Sequence, residues 1–561
     1  SMIWSDSMAN HEIFVKELGK KIPVTGETTF YELSRMCDGF HRAPIMAAKS
    51  GNSLIELCRK VNDEQEIEFI DLFSLDGIRI YTRGTLFILF IAIRELFGTA
   101  QLNVHHSRGP GLVCDIEGID ISPENLKMIE TRMKELVEED AVFEKDTLGK
   151  FEAIRSFDED GQRDKALLFK YRKKSTVNIY RCKGYLNYFY GYMPYSTGTL
   201  KKFALLPYGD YFILNLPSTR EPERLPEFVD QPKISSVFLE HERWGKILGV
   251  KTVGELNEII CRGPKEIREI VNIAESLHEK KIAAIADRIA EHSEPNLILI
   301  AGPSSSGKTT FSQRLMLHLK VLGMKPVQIS VDDYFVDREK TPKDENGNYD
   351  FESIYALNID LFNEQISQLL DGKEVLLPKF DFVLGRSGFR DRPIKITEGQ
   401  PVIIEGIHGL NELLSSSVPR ERKFKIYVSA LTQMNLDNLN RIPTTDVRLL
   451  RRIVRDNRFR GHSALDTIRM WSSVRRGEDR YIFPFQEEAD VMFNSAIVYE
   501  LAALKGFAEP LLVQIDDSVP EYLEAKRLLR FIDYLLPMTN LEDIPRTSII
   551  KEFIGGSVFG S

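Results

Sequence analysis

Leu297-Ile298-Leu299-Ile300-Ala301 runs directly into Gly302-Pro303-Ser304-Ser305-Ser306-Gly307-Lys308-Thr309-Thr310, and Phe311, Leu315 and Leu319 then recur at helical spacing. An apolar strand, a GxxxxGK[ST] loop and a helix start, in that order, make a P-loop. Backbone N–H groups from Gly302 through Ser304, Ser305, Ser306 and Gly307 to Thr310 are expected to converge with the positive end of the helix dipole on an anion. Lys308 is placed to reach the β- and γ-phosphates, and the Thr309 hydroxyl to hold Mg²⁺. A chance Gly/Ser-rich turn capping an ordinary helix is the competing explanation. The full motif in this context favours a nucleotide.

The chain has 561 residues, too many for one core, and at roughly 150 residues per domain it suggests three or four units. With 43% hydrophobic and 28% charged residues it has the composition of an ordinary soluble protein. Its net charge of -9 gives no global basic field for nucleic acid or anionic lipid, so any basic site is local. Five scattered cysteines without a CxxC pair fit a reducing compartment and packing roles. The longest apolar run, Leu86 to Ile93, is far short of the roughly 20 residues of a membrane span. A cytoplasmic protein with no membrane partner is expected, with residues 1–10 set aside as a tag or disordered end.

Beyond the loop, Val327-Gln328-Ile329-Ser330-Val331 reads as a strand ending at Asp332-Asp333-Tyr334-Phe335. Ligands of open α/β sheets collect past the carboxyl ends of strands, which makes Asp332 the candidate general base. Val402-Ile403-Ile404 ends in Glu405-Gly406 and brings a second carboxylate to that edge. Thr309, Glu405 and Asp332 are therefore the expected Mg²⁺ set, with the metal bridging β- and γ-phosphates. Phe424 to Val428 and Asp490 to Phe493 are further strands. Between Arg441 and Arg480 eleven arginines face five acids, and Arg448, Arg452 and Arg455 share one helix face. A solvated face is the ordinary reading of such a run; arginines in an acidic chain instead suggest a lid with phosphate-binding fingers. Phe380-Asp381-Phe382, with Arg386, Arg390 and Arg392 behind it, reads either as a stacking platform for a planar base or as core anchors.

In the front half, strands at Ile13–Val15 and Ile22–Val24 followed by a helix opening at Thr28 resemble the TGS domain, a β-grasp module of threonyl-tRNA synthetase and some GTPases. Residues 71–240, with Gly191-Tyr192-Met193-Pro194-Tyr195-Ser196-Thr197-Gly198, resemble the editing domain of threonyl- and alanyl-tRNA synthetases. That family binds a metal where this chain has Arg83, Phe87, Phe189 and Met193, none a good ligand, so no zinc is expected. His105 and His106 are the local candidates for chemistry, or simply polar loop structure. The expected order is 11–70 β-grasp, 71–240 α+β, 241–290 helical connector, 291–505 P-loop domain and 506–561 C-terminal extension. The fold class is α/β, a P-loop-type parallel sheet with helices on both faces behind those two modules.

From about Asn296 to Lys505 the chain resembles the phosphoribulokinase/uridine kinase family: GPSSSGKTT, DDYF at Asp332 to Phe335, FDF at Phe380 to Phe382, IIEGIHGL at Ile403 to Leu410 and RRIVRDNRFRG at Arg451 to Gly461. The resemblance implies a kinase using ATP or GTP with Mg²⁺. In it Asp332 deprotonates a ribose 5′-hydroxyl, Glu352 with Arg452 holds the ribose diol, Phe380 and Phe382 flank the base, and Arg455 and Arg460 meet the triphosphate. Tyr334 of the DDYF motif joins the substrate-binding set, and Lys308 and Arg455 the catalytic one. The family's base-reading His is replaced by Gly385 or its neighbours, and later lid residues by His462 and Met470. Uridine or cytidine is the first expected acceptor, with another nucleoside or small alcohol as the alternative. A regulatory nucleotide switch, or RNA binding by the front half, is the other class considered. The reading leaves room for RNA or a regulatory ligand in front and for a homo-oligomer.

Overall fold

The computed structural model describes residues 11–292, 296–432 and 434–560; the set-aside segment 1–10 lies outside the described residues. The sheet carrying the glycine loop has five parallel strands in the order Val327–Ser330, Val402–Glu405, Leu297–Ala301, Lys423–Ser429, Val491–Asn494. Side chains alternate between its faces. Ile298 and Ile300 pack with Phe311, Leu315 and Leu319 in one core, while Leu297 and Leu299 pack with Phe362, Ile366 and Leu369 in another. Burial on both faces is why these strands read as unbroken Leu, Ile and Val. The helices Lys308–Val321 and Thr444–Phe459 cover one side and Ile359–Leu370 the other, which makes the fold α/β of the P-loop type. Register sets Glu405 beside Ile300 on one flank and Ser330 on the other. The glycine loop, the acid turn and Glu405 therefore leave the sheet at one edge.

The front of the chain forms a mixed sheet in the order Lys20–Val24, His11–Val15, Glu66–Ile70, Ala47–Ser50, Ser53–Ile55, the layout of a β-grasp module. Its helix Phe30–Arg35 starts at a capping box of Thr29 and Glu32. Two antiparallel sheets follow, one built around Gln101–Arg108 and Gly111–Glu117, the other around Glu144–Gly149 and Thr176–Cys182. They divide residues 71–240 between two cores. The first packs with the helices Leu75–Phe97 and Pro123–Glu138, whereas Phe157, Phe169, Val177 and Ile179 join the cluster under the glycine-loop helix.

Arg83, Phe87, Phe189 and Met193 do come together. The rings of Phe87 and Phe189 lie 5.7 Å apart, Met193 is buried beside them, and Arg83 donates to the Tyr192 carbonyl at 3.0 Å. Two phenyl rings, a thioether and a guanidinium supply none of the nitrogen, thiolate or carboxylate donors zinc prefers.

Three helices, Pro232–Leu248, Val253–Arg262 and Pro264–Glu291, bridge the halves, with Gly263 at φ 126° as the break. The last runs beside the glycine-loop helix, and Arg314 reaches back to Glu279 at 2.5 Å. Residues past 505 are structural: Tyr522–Ile532 and Lys551–Ile554 lie in the same core as the glycine-loop helix. Of the five free cysteines, Cys37, Cys114 and Cys182 are buried and Cys58 half-buried, but Cys261 is exposed rather than packed. Among the described residues no helix is long and apolar enough to cross a membrane.

Candidate active site

Two glycines of the loop are dictated by space. A Cβ on Gly302 would sit 1.9 Å from the Val428 carbonyl oxygen, and one on Gly307, at φ +86°, would meet Ile549 at 2.6 Å. Ser305 also takes a positive φ of 59°, a strained choice for a residue with a side chain. The helix Lys308–Val321 begins at this turn, so its first amides have no partner within the helix. Lys308 Nζ donates to the Pro303 carbonyl at 3.2 Å. Burial pushes its pKa down, while Glu405, Glu552 and Asp332 pull it back up. Thr309 is exposed at the mouth.

Opposite stand the carboxylates. Ser330 Oγ accepts from the Asp332 amide at 3.2 Å and shapes the turn Val331–Tyr334. The Asp332 side chain meets solvent, yet the protein around the cleft raises its pKa, with Lys308 opposing. Glu405 is pushed up to about 7 by burial, against the pull of Lys308 and with Asp332 and Glu552 adding repulsion. A carboxylate short of counter-charge beside a second carboxylate and an exposed threonine hydroxyl is a hard-oxygen donor set that suits Mg²⁺, which takes one or two carboxylates and completes its shell with phosphate oxygens. Tyr334 corrects the expected substrate-binding set. Its side chain is 1% exposed, its hydroxyl donates to Gln365 Oε1 at 2.8 Å, and its ring lies 4.9 Å from that of Phe362. The tight turn sends Asp332 outward and Tyr334 into the core.

The arginine helix Thr444–Phe459 serves two purposes. Arg448, expected as a lid finger, is buried instead: it donates to the Ser304 carbonyl at 3.0 Å and pairs with Glu478. Arg451 donates to the Ser305 carbonyl at 3.3 Å and to Glu500 at 2.6 Å. Both brace the loop from behind. Arg452 donates to Ser304 Oγ at 2.8 Å, and Asp456 gathers Arg452 at 3.2 Å, Arg455 at 2.9 Å and Arg460 at 3.7 Å. One buried carboxylate thus holds three guanidinium groups near the loop, two charges in excess. Lys308 feels Arg455 and Asp332 feels Arg460.

Glu352 lies against the helix Ala464–Tyr481, where a Cβ on Gly477 would approach Glu352 Cβ to 2.5 Å. Burial pushes its pKa up to about 7, with Arg452 opposing. The hairpin Pro378–Asp381 and Arg386–Phe389 is clasped to the acid turn by Arg390 on Asp333 at 2.7 Å and by the Ser387 amide on Asp337 at 2.9 Å. Phe335, Phe380 and Phe382 form a ring cluster with centroids 5.0 to 6.1 Å apart. Phe380 is buried; Phe382 is 61% exposed.

Sequence reading missed Asp456, Glu478 and Glu552. The i, i+4 spacing of Arg452 and Asp456 was a usable signal for the first. Glu552 had none: from the short helix Lys551–Ile554 it accepts from the Thr310 amide at 3.2 Å and from Thr310 Oγ1 at 2.8 Å, at the start of the glycine-loop helix.

The model of the phosphoribulokinase/uridine kinase family matches residues 297–502. Uridine kinases of Staphylococcus aureus strains JH9 and Newman are each 30% identical over 198 residues, 35% of this chain and 86% of theirs. A solved structure of a possible uridine kinase from Bacillus stearothermophilus is 20% identical, with a TM-score of 0.27, and the match covers 38% of this chain and 98% of that one.

Proposed function

The chain belongs to the phosphoribulokinase/uridine kinase family and is a phosphotransferase acting on small molecules; from that premise we propose that it transfers the γ-phosphoryl group of ATP to the 5′-hydroxyl of a nucleoside, uridine or cytidine first. The observation that carries the proposal is the shared sheet edge, where Lys308, Asp332 and Glu405 lie in one another's electrostatic field. Mg²⁺, held by Thr309, Glu405 and Asp332, supplies charge neutralisation at the β- and γ-phosphates when bound. Asp332 takes the proton of the attacking hydroxyl as its oxygen bonds to phosphorus and the bond to the β-phosphate oxygen breaks. Lys308, Arg455 and Arg460 meet the charge that collects on the leaving diphosphate. Glu352 and Arg452 orient the ribose, with Phe382 against the base.

The substitution of the base-reading histidine by the Gly385 region keeps a second acceptor class in view, another nucleoside or a sugar phosphate of the phosphoribulokinase kind. The front modules, TGS-like and editing-domain-like, are read as binding units for RNA or a regulator. A screen of nucleosides, ribulose 5-phosphate and pantothenate with MgATP tests the proposal. Transfer to a nucleoside is expected; transfer to none of them refutes the nucleoside reading.

A further inference from the structure

The helix Leu75–Phe97 of the front half and the C-terminal helix Tyr522–Ile532 each turn a basic side toward one pocket. Arg79 and Arg83 stand one turn apart on the first, and Lys526, Arg527 and Arg530 share a side of the second, so helical spacing alone lines up five cations. In a chain of net charge -9 this is a local reversal of sign. No residue of the glycine loop or of the acid turn belongs to the walls.

The nearby acids are already taken by two of the five. Arg79 meets Asp76 at 3.0 Å and Glu524 at 3.5 Å, and Arg527 meets Asp446 at 2.6 Å and Glu524 at 2.5 Å. Among the described residues no carboxylate lies within ion-pair distance of Arg83, Lys526 or Arg530, so three acids face five cations. Neutral groups position the two unpaired guanidinium groups instead. Arg83 donates to the Tyr192 carbonyl at 3.0 Å; Arg530 donates to the Tyr192 hydroxyl at 2.6 Å and lies 4.4 Å from the centre of its ring. Gly191 makes the room, since a Cβ there would sit 2.1 Å from the central carbon of the Arg83 guanidinium. Burial pushes the pKa of Arg83 down, and Arg79 and Arg530 add repulsion. Arg83, Lys526 and Arg530 are all half-buried rather than sealed, and the guanidinium nitrogens that these bonds leave unspent keep contact with solvent. An anion can therefore reach them.

Size and charge select the anion. The pocket gives about 30 Å³ of room for the centre of a water-sized sphere, where one water needs roughly 10–15 Å³, so it takes one tetrahedral oxyanion but not a base or a ribose. Two positive charges in excess match the one to two negative charges of a phosphate group, and fork-shaped donors arriving from two helices suit its several oxygens better than a planar carboxylate. We propose that this pocket is a second anion site, separate from the glycine loop, that binds one phosphate group of a small molecule, either orthophosphate or the end of a phosphate monoester. Its occupant joins the front half to the C-terminal helix. The site is independent of which alcohol the phosphoryl-transfer cleft accepts.

Calorimetric titration of the full chain with sodium phosphate, at an ionic strength held constant with chloride, tests this. One saturable phosphate site should persist in Lys308→Ala, which removes the lysine of the glycine loop. That binding should weaken about fivefold or more in Lys526→Gln and in Arg530→Gln, while both variants bind a non-hydrolysable ATP analogue within about twofold of the parent. Phosphate should also raise the Tm of the parent more than that of Lys526→Gln, a substitution with no ion pair to lose. Uridine 5′-monophosphate, compared through the part of its binding that Lys526→Gln removes, separates the sources: tighter binding than orthophosphate assigns the monoester, and equal or weaker binding assigns the free ion. Phosphate binding that disappears in Lys308→Ala, that is unchanged in both charge variants, or that chloride alone reproduces would overturn the site. Binding of an RNA oligonucleotide without terminal phosphates, with neither orthophosphate nor the monophosphate bound, would overturn the ligand class.

Discussion

Glu552 occupies ground that a nucleotide phosphate needs. Its carboxylate accepts from both the amide and the hydroxyl of Thr310, in the first turn of the glycine-loop helix. A phosphate seated on those first amides comes within about 5 Å of the carboxylate, and two unit charges at that distance repel by about 2–3 kcal/mol at an effective dielectric of about 20–30. Contact with solvent reduces this, so about 1.4 kcal/mol, a tenfold change in Kd, is a sound expectation. Glu552→Gln should therefore bind MgATP about tenfold more tightly. The amide oxygen can still accept from the Thr310 hydroxyl, and the loss of a negative charge at the helix start should cost only about 0.5 kcal/mol of stability. Calorimetric titration with a non-hydrolysable analogue, at low and high salt, measures the effect, and the gain should shrink as salt rises. Unchanged or weaker binding in Glu552→Gln would refute the reasoning and mean that the carboxylate helps hold the donor.

Asp332→Asn should lower kcat by about 10²–10⁴ while the ATP-analogue affinity stays within about twofold; a variant with comparable kcat removes Asp332 from the role of base. Glu405 is pushed up to about 7 in the folded protein. A raised carboxyl pKa means stability that is present below the ordinary carboxylate range and lost as pH rises through about 7, so Glu405→Gln should match the parent in stability near pH 5 and be more stable at pH 8 by about 1–2 kcal/mol, read as a higher Tm, with activity lost. Equal Tm at both pH values would show that Glu405 carries no such penalty. Tyr334→Phe should destabilise by about 1 kcal/mol in urea unfolding through loss of the bond to Gln365 and leave the acceptor KM unchanged; a raised KM would return Tyr334 to the substrate site.

What the sequence displayed clearly was local. The strand, loop and helix around Gly302 to Thr310 announce themselves because backbone geometry there is set by neighbours in the chain, and strands buried on both faces read as plain apolar runs. Asp332 and Glu405 were legible for the same reason, as acids at strand ends. Tyr334 was not: a motif gives the order of residues, whereas the tight turn Val331–Tyr334 decides which of them face the cleft. Arg448 and Arg452 share a helix face as the spacing says, yet the first is buried against Ser304 and Glu478 and the second pairs with Asp456 near the cleft. Periodicity gives a face but not what lies over it.

The parts that stayed hidden depend on partners far away in the chain. Ser304 is held by Glu478 and Arg448, and Thr310 by Glu552, separations of 144 to 242 residues. Gly307 is required partly because Ile549 packs on it. Glu275, on the helix before the sheet, joins Tyr499 and Ser548 at 2.5 Å each, which ties the connector, the last strand's helix and the C-terminal stretch into one buried knot under the loop. A cradle for phosphate needs rigid backbone, and rigidity at a turn with positive φ has to come from outside the turn. The 506–561 stretch and the helix Pro264–Glu291 supply it here, so the catalytic unit of this chain extends beyond the segment that its motifs mark out.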